Sequence, residues 1–530
     1  MRLPYKYAVA LTAALGLFMA VLDNTIVNVA LTAMQRAFNT DVNTIQWVVT
    51  GYFLAQAAVI PVSGYFGNRF GLKQTFMFAL AVFTIGSLLC GLSPNIGGPL
   101  SGEELLIFFR LIQGIGGGML FPLATSIAFS VFPPAERAAA SGVIAVPVLL
   151  APTLGPTFGG LLTDSRFEWP SIFFINVPFG ILALVLVARV LRPQAEAAEA
   201  APARSGATAS FDWVGLISSM VGVVAVVYAF TLVSQTDSST ISAANPRGSI
   251  HGWGYWPVWA LLAAGVAILA AFSYYELRVA RDPVLDLRLF TRFDFAVATV
   301  MTWVTRAVVF GSFFLVPLFL QQFRGLSAVE AGLYMIPQGL FAGIAIGIGS
   351  RLYDRIGPRL LVIAGMILLT LSSAALAFTD QNSGWLFFLP ILAVRGVGFG
   401  WSNLPLQTLS LSAITGRALP KASSLYNATA QIFSSIGVAI LSTIFIQSTT
   451  EKATEIVRAA QAAGTRPPAD LAIQAGVGAF DHVFVIVAIG TGLAILLGFI
   501  LPGQSLKQSQ IQDPVDEHAG ATHSRFVPAE

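Results

Sequence analysis

Asp23, Asn24 and Asn28 lie together in the later half of Tyr7–Leu31, a run apolar enough to cross a membrane. An ionisable side chain inside a bilayer span costs several kcal/mol, roughly, so helices that carry one point it at a cavity, a partner charge or a proton path. At about 100° per residue, the three polar side chains share an arc of roughly 140°, and Leu22, Val29 and the alanines are left for packing. The chemistry such an arc offers is reversible protonation of one carboxyl beside two amides. Two placements stay open: an arc facing a protein interior, or an acid in the outer headgroup layer, because the apolar residues end a turn or two later.

Three arginines lie well inside other apolar runs. Arg110 shares a helix face with Gln113, Gly114 and Gly117, so its guanidinium approaches a neighbouring backbone over a glycine floor. An arginine stays protonated, and it either holds a nearby acid in its charged form or is satisfied by backbone carbonyls for structure alone. Arg306 shares a face with Thr302 and Trp303, and Arg395 with Ser402. These faces, with Asn24, Asn28 and Gln113, are the expected walls of a substrate cavity. Three cations against one acid favour an anionic or zwitterionic cargo, and internal structural pairing is the alternative.

Enzymatic chemistry has no comparable constellation. The four histidines, His251, His482, His518 and His523, fall in loops, at a span mouth or in the tail, and the chain has no HExxH, P-loop or Cys/His metal cluster. No metal or cofactor is expected. The single cysteine, Cys90, reads as a small buried residue.

The elements that must position these residues are membrane helices. Of 530 residues 55% are hydrophobic and 10% charged, and the mean hydropathy is +0.76, far from a soluble chain. Runs of about twenty apolar residues exclude a β-barrel. Charged and Gly/Pro-rich breaks divide the chain into fourteen spans: Tyr7–Leu31, Thr44–Tyr65, Gln74–Leu92, Glu104–Ser126, Ala138–Leu161, Pro170–Val190, Trp213–Val233, Trp256–Leu277, Phe295–Gln321, Glu330–Ser350, Arg359–Phe378, Trp385–Leu411, Ser423–Ile446 and Phe480–Leu501. The face holding both termini carries 19 of the 29 Lys and Arg residues and the other face 7, which makes the termini cytoplasmic in a cell (inner) membrane. A formal charge of +3 spread over many short loops is no nucleic-acid patch. The outer segment 447–479 is expected to hold a short surface helix at Glu451–Ala463.

An internal repeat organises the spans. Gly64-Tyr-Phe-Gly67-Asn68-Arg69-Phe-Gly71-Leu-Lys73 is echoed 286 residues later by Ser350-Arg-Leu-Tyr-Asp354-Arg355-Ile-Gly357-Pro-Arg359, and Arg110 is echoed 285 later by Arg395. Two motifs at one spacing imply equivalent halves: a six-helix bundle at 1–191 and another at 295–502. Between them, 192–294 is a cytoplasmic linker plus two inserted helices and a loop, and 503–530 is a disordered tail.

With these residues in view, the chain resembles the fourteen-helix drug:proton antiporters of the major facilitator superfamily, the EmrB/QacA type, over essentially its whole length. The resemblance rests on Leu22-Asp23-Asn24-Thr25-Ile26-Val27-Asn28-Val29-Ala30-Leu31, Gly64 to Lys73, Arg110-x-x-Gln113-Gly114-x-Gly116, Gly155-Pro156-Thr-Phe-Gly159-Gly160, and Pro283-Val-Leu285-Asp286-Leu-Arg288-Leu-Phe290. It implies an all-α major-facilitator fold, export of small amphipathic molecules against inward proton flow, and Asp23 and Arg110 as the coupling pair. The lipid bilayer and a periplasmic adaptor complete the expected partners. The first loop departs from the family in having Asn68 where an acid is common, while the second half keeps Asp354. On this reading Asp23 takes a proton in the outward-facing state, and closer approach of Arg110 or fresh hydration releases it in the inward-facing one. A dedicated exporter of one metabolite, lipid or siderophore is the rival within transport, and a non-transporting scaffold or sensor the rival outside it.

Overall fold

The structure, a computed structural model, describes residues 4–40, 42–96, 101–163, 165, 168–192, 212–234, 236–237, 249–280, 283–380, 383–416, 418–463, 465, 468 and 470–503. The linker beyond Arg192 and the tail from 504 lie outside the described residues, as do the side chains of Asn28 and Pro156. The first half comprises α1 (Tyr5–Phe38), α2 (Val42–Phe70), α3 (Leu72–Leu92), α4 (Gly102–Val131), α5 (Arg137–Thr163) and α6 (Ser171–Val190, bent at Ile175). The inserted pair is α7 (Trp213–Ser234) and α8 (Trp256–Arg278). The second half begins with α9 (Phe293–Gln322). The long element Ala328–Leu376 then breaks at Gly357 into α10 (328–356) and α11 (358–376), and α12 (Trp385–Ser412), α13 (Ala418–Ala462) and α14 (Leu471–Gly498) complete it.

Among the described residues, twelve helices are long and apolar enough to cross a membrane. That number takes Val329–Leu376 as one and leaves out α5, so dividing the former at Gly357 and including the latter supports the fourteen-span reading. Two local differences from the sequence expectation appear. The surface helix expected at Glu451–Ala463 is the continuation of α13, because the backbone after Ile446 meets no glycine or proline before Gly464. A two-residue antiparallel ladder, Thr236–Asp237 with Ser249–Ile250, lies between the end of α7 and the start of α8 and is the one sheet among the described residues.

The repeat is visible as repeated jobs. Gly71 (φ 87°, ψ 143°) and Gly357 (φ 79°, ψ 168°) turn the chain between the second and third helix of each half, in backbone conformations that a side chain rarely tolerates. Two residues later in each motif, Lys73 donates to the carbonyls of Ala188 and Leu191 at the end of α6, and Arg359 donates to the Leu501 carbonyl beyond α14. Each cation thus meets the negative end of the last helix of its half.

The halves meet along α2 with α13 and α5 with α10. Hydrogen bonds between them gather at the arginine-rich end. Ser63 pairs with Ser424 (2.9 Å), Ser423 donates to the Pro122 carbonyl (3.0 Å), and Ser141 pairs with Thr408 (3.0 Å). Arg137, buried at the start of α5, donates to the carbonyls of Leu411, Ser412 (2.8 Å) and Ile414 (2.7 Å) at the end of α12. This end is therefore closed. The inserted pair covers one seam only: α7 lies against both α2 and α13, with Ala57, Val223 and Val227 in one apolar cluster and Val226, Phe230 and Ala439 in the next.

Candidate functional site

Asp23 sits just past the middle of α1 and is 1% exposed, which places it in the protein interior. Its Oδ2 accepts from Arg110 Nη1 of α4 at 2.6 Å. Its Oδ1 accepts from Gln113 Nε2 at 2.9 Å and from Asn176 Nδ2 of α6 at 2.8 Å. Arg110 is also 1% exposed and is held on three further sides. Nε donates to the Val48 carbonyl of α2 (3.0 Å), Nη1 donates to Gln113 Oε1 (2.8 Å), and the guanidinium lies 3.9 Å from the centre of the Tyr52 ring. Asn176 donates in turn to Ser87 Oγ of α3 (3.0 Å), which donates to the Phe173 carbonyl (2.9 Å). Both oxygens of the carboxylate are matched to donors, as a buried ion pair requires if its desolvation is to be offset.

Glycines let these helices approach. A Cβ at Gly114 would stand 2.6 Å from the Tyr52 carbonyl oxygen, and one at Gly117 2.6 Å from the Tyr52 hydroxyl. One at Gly155 of α5 would stand 1.9 Å from Thr25 Oγ1, two residues beyond Asp23. Gly155 thus serves contact inside the first half, whereas Gly160 faces Val329 of α10 across the halves. Gly159 is buried in the same helix, and Pro156 lies within it. Gly64 meets the Pro420 carbonyl, where a Cβ would come within 2.3 Å, so it belongs to the closed end. Asn68 and Arg69 occupy the last turn of α2, and Asp354 and Arg355 the last turn of α10.

The expected cavity residues divide. Asn24, Trp303 and Arg306 keep part of their surface accessible. Trp303 stacks on Phe433 at 4.6 Å and 3°, and Arg306 lies over Phe310 at 5.0 Å, so α9 and α13 present a cation among aromatic rings. Gln113, Arg395 and Ser402 are instead fully buried and form no cavity wall in this conformation. Gln113 is consumed by the Asp23 network. Ser402 donates to the Gly398 carbonyl of its own helix (2.9 Å), with its backbone N against Gly365 of α11. Arg395 donates to the hydroxyls of Ser373 (2.8 Å) and Ser312 and lies over Phe484 at 5.6 Å. Ser373 is the repeat partner of Ser87, so the second half keeps the cation and the hydroxyl, while no acid pairs with Arg395 among the described residues.

The Asp23–Arg110 pair is formed while the arginine-rich end is shut, and every partner of Asp23 named here lies in its own half. Asn176, Ser87 and Tyr52 were missed in the sequence; a lone asparagine in the apolar run of α6 was the one available signal.

Two six-helix halves related by a repeat, joined along two seams and enclosing a buried carboxylate–arginine network, have the architecture of a multi-pass membrane transporter. The Major Facilitator Superfamily pattern matches residues 13–438, and the chain belongs to that superfamily. It is 33% identical over 428 residues, 80% of this chain and 74% of the other, to a multidrug resistance protein B homolog of Mycobacterium tuberculosis. It is 30% identical to the fatty acid resistance protein FarB of Neisseria gonorrhoeae (82% of this chain, 80% of that one), and 27% identical to the lincomycin resistance protein LmrB of Bacillus subtilis (94% and 95%). Among solved structures it resembles the proton:xylose symporter XylE, with a TM-score of 0.58 and 14% identity over 96% of this chain and 99% of that one. That likeness concerns the fold.

Proposed function

We propose that this chain is a proton-coupled exporter of small amphipathic molecules that works by alternating access. On this reading it sits in the cytoplasmic membrane with fourteen spans, both termini inside, and an adaptor protein as its partner at the outer end. Residues 1–191 and 295–502 are the rocking halves and 192–294 carries the inserted pair. The observation that carries the reading is the buried Asp23–Arg110–Gln113–Asn176 network, because an ionisable pair held dry in the middle of a span is an expensive feature with an evident use in proton exchange. The relatives' names support export of drugs. They range over multidrug, lincomycin and fatty acid resistance, so cargo choice falls to the cavity side chains Asn24, Trp303 and Arg306.

Asp23 is the proton acceptor in this account and Arg110 its charge partner. When the proton arrives, Asp23 no longer needs Arg110, and the network's remaining donors reorganise; when it leaves, the pair re-forms. Substrate and proton favour opposite states and so exchange across the membrane. The reading is tested in vesicles: adding an exported dye to purified, reconstituted protein should move protons in the opposite direction, and dye movement without proton movement refutes it. Tags placed in 192–210 and in 447–479 should report opposite sides of the membrane; the same side for both refutes the topology.

A further inference from the structure

Two carboxylates that the transport account does not use face each other where the inserted pair meets the closed end. Asp212 is the N-cap of α7, and its Oδ1 accepts from the Gly215 backbone N–H at 2.8 Å, a position that favours negative charge. Glu276, in the last turn of α8 and 2% exposed, accepts through Oε1 from the Val284 N–H at 3.0 Å. That bond ties α8 to the connection leading into α9. A Cβ on Gly215 would stand 2.4 Å from Asp212 Oδ2 and 2.7 Å from Glu276 Oε1, so only glycine fits and those oxygens are at most about 5 Å apart. Asp212 Oδ2 and Glu276 Oε2 are buried with no donor at full hydrogen-bond geometry among the described residues, although the Tyr275 hydroxyl faces Asp212 and the Leu285 N–H faces Glu276, and both side chains are more than nine-tenths buried.

The titratable and charged groups that face the pair are Tyr275 of α8 and Lys421 of α13, the latter also lying over the Tyr65 ring of α2 at 5.9 Å. In the connection, Arg288 turns to the Leu277 carbonyl and Asp286 caps its own turn at the Arg288 N–H. Two buried like charges this close repel. One proton removes the repulsion by neutralising one of the two carboxyls.

We propose that Asp212 and Glu276 form a second proton-binding site, in which one proton on Glu276 relieves the like-charge contact and holds α7 and α8 to the 283–291 connection while the arginine-rich end is closed. Glu276, the more buried of the two, carries the proton, and the Asp212 carboxyl caps α7 beside it. Losing it sets two charges against each other beneath the apolar cluster in which Leu216, Phe272, Val284 and Leu285 pack with Leu411, Ile414 and Leu419 across the closed end. Release therefore favours opening. This consequence for opening rests on the transport reading; the bound proton itself does not.

The test uses the full-length Asp23→Asn protein, which removes the first acid from the signal. Infrared spectra should show a protonated-carboxyl C=O band that vanishes in Glu276→Gln and moves in Asp212→Asn, the second variant serving if the first fails to fold. With a cysteine at Ser412→Cys, labelling should rise with pH by up to about tenfold per unit, the linkage of one released proton, and stay flat when Glu276→Gln is added. A band unchanged in both variants, or an equal pH slope with and without Glu276→Gln, overturns the proposal. Because the band is independent of transport, its absence leaves the export reading standing, and a chain that keeps the band but exports nothing refutes only that reading.

Discussion

Asp23 is held by donors from α4 and α6 of its own half, so rocking one half against the other does not by itself change its surroundings. What must change is water access or the rotamers of the network. Asn176→Ala should therefore matter more than its position suggests. It leaves Asp23 Oδ1 with one donor fewer and Ser87 Oγ without the donor it accepts from, costs about 1–3 kcal/mol of stability, and should lower both the thermal midpoint and uphill export. Asn176→Asp, which adds a like charge, should be worse, and wild-type behaviour in both would contradict the network's role. Arg110→Lys keeps the charge but loses the Nε bond to Val48 and the planar stacking over Tyr52, so export should fall by roughly tenfold or more; full activity would show that charge alone suffices. Asp23, Arg110 and Gln113 were legible in the sequence because polar groups inside apolar runs are costly and share a helical face. Asn176 and Ser87 were not, since each is one small polar residue in a run whose facing partner only the fold supplies.

Elements were read well where a motif repeats and poorly where a face had to be assigned. The paired Gly71 and Gly357, and the paired Lys73 and Arg359, do in three dimensions what their common offset implied. Arg395 and Ser402, by contrast, share a face that turns to α11 and away from any cavity, because helical spacing fixes which residues are neighbours and not which helix they meet. Gly71→Ala and Gly357→Ala should each cost about 1–3 kcal/mol, since both φ values are positive; thermal unfolding in detergent that spares either variant would contradict the shared role. Arg137 was counted in the sequence only as a basic residue, yet it clamps the end of α12. Arg137→Gln removes a charged donor to three carbonyls worth about 1.5–3 kcal/mol per bond, so cysteines placed along the α5–α12 contact should label at least tenfold faster. The single native cysteine is buried, which keeps the background low. Unchanged labelling would mean that the serine pairs alone hold this end.

Across the whole molecule, the inserted helices seal the α2–α13 seam, and among the described residues the α5–α10 seam has no such cover; the sequence put two helices between the halves but could not say which seam they lie on. The closed arginine-rich end, with Asp23 already paired, makes this conformation the one in which a proton arriving from the opposite side would compete with Arg110. The central claim is that this competition couples proton to cargo. Asp23→Asn removes the competitor while preserving shape, so the most direct measurement compares two fluxes in reconstituted vesicles: substrate accumulation driven by a pH gradient, and downhill substrate exchange without one. The account predicts that the first is abolished and the second persists in a folded, normally inserted variant. Accumulation by Asp23→Asn that a protonophore collapses would contradict it.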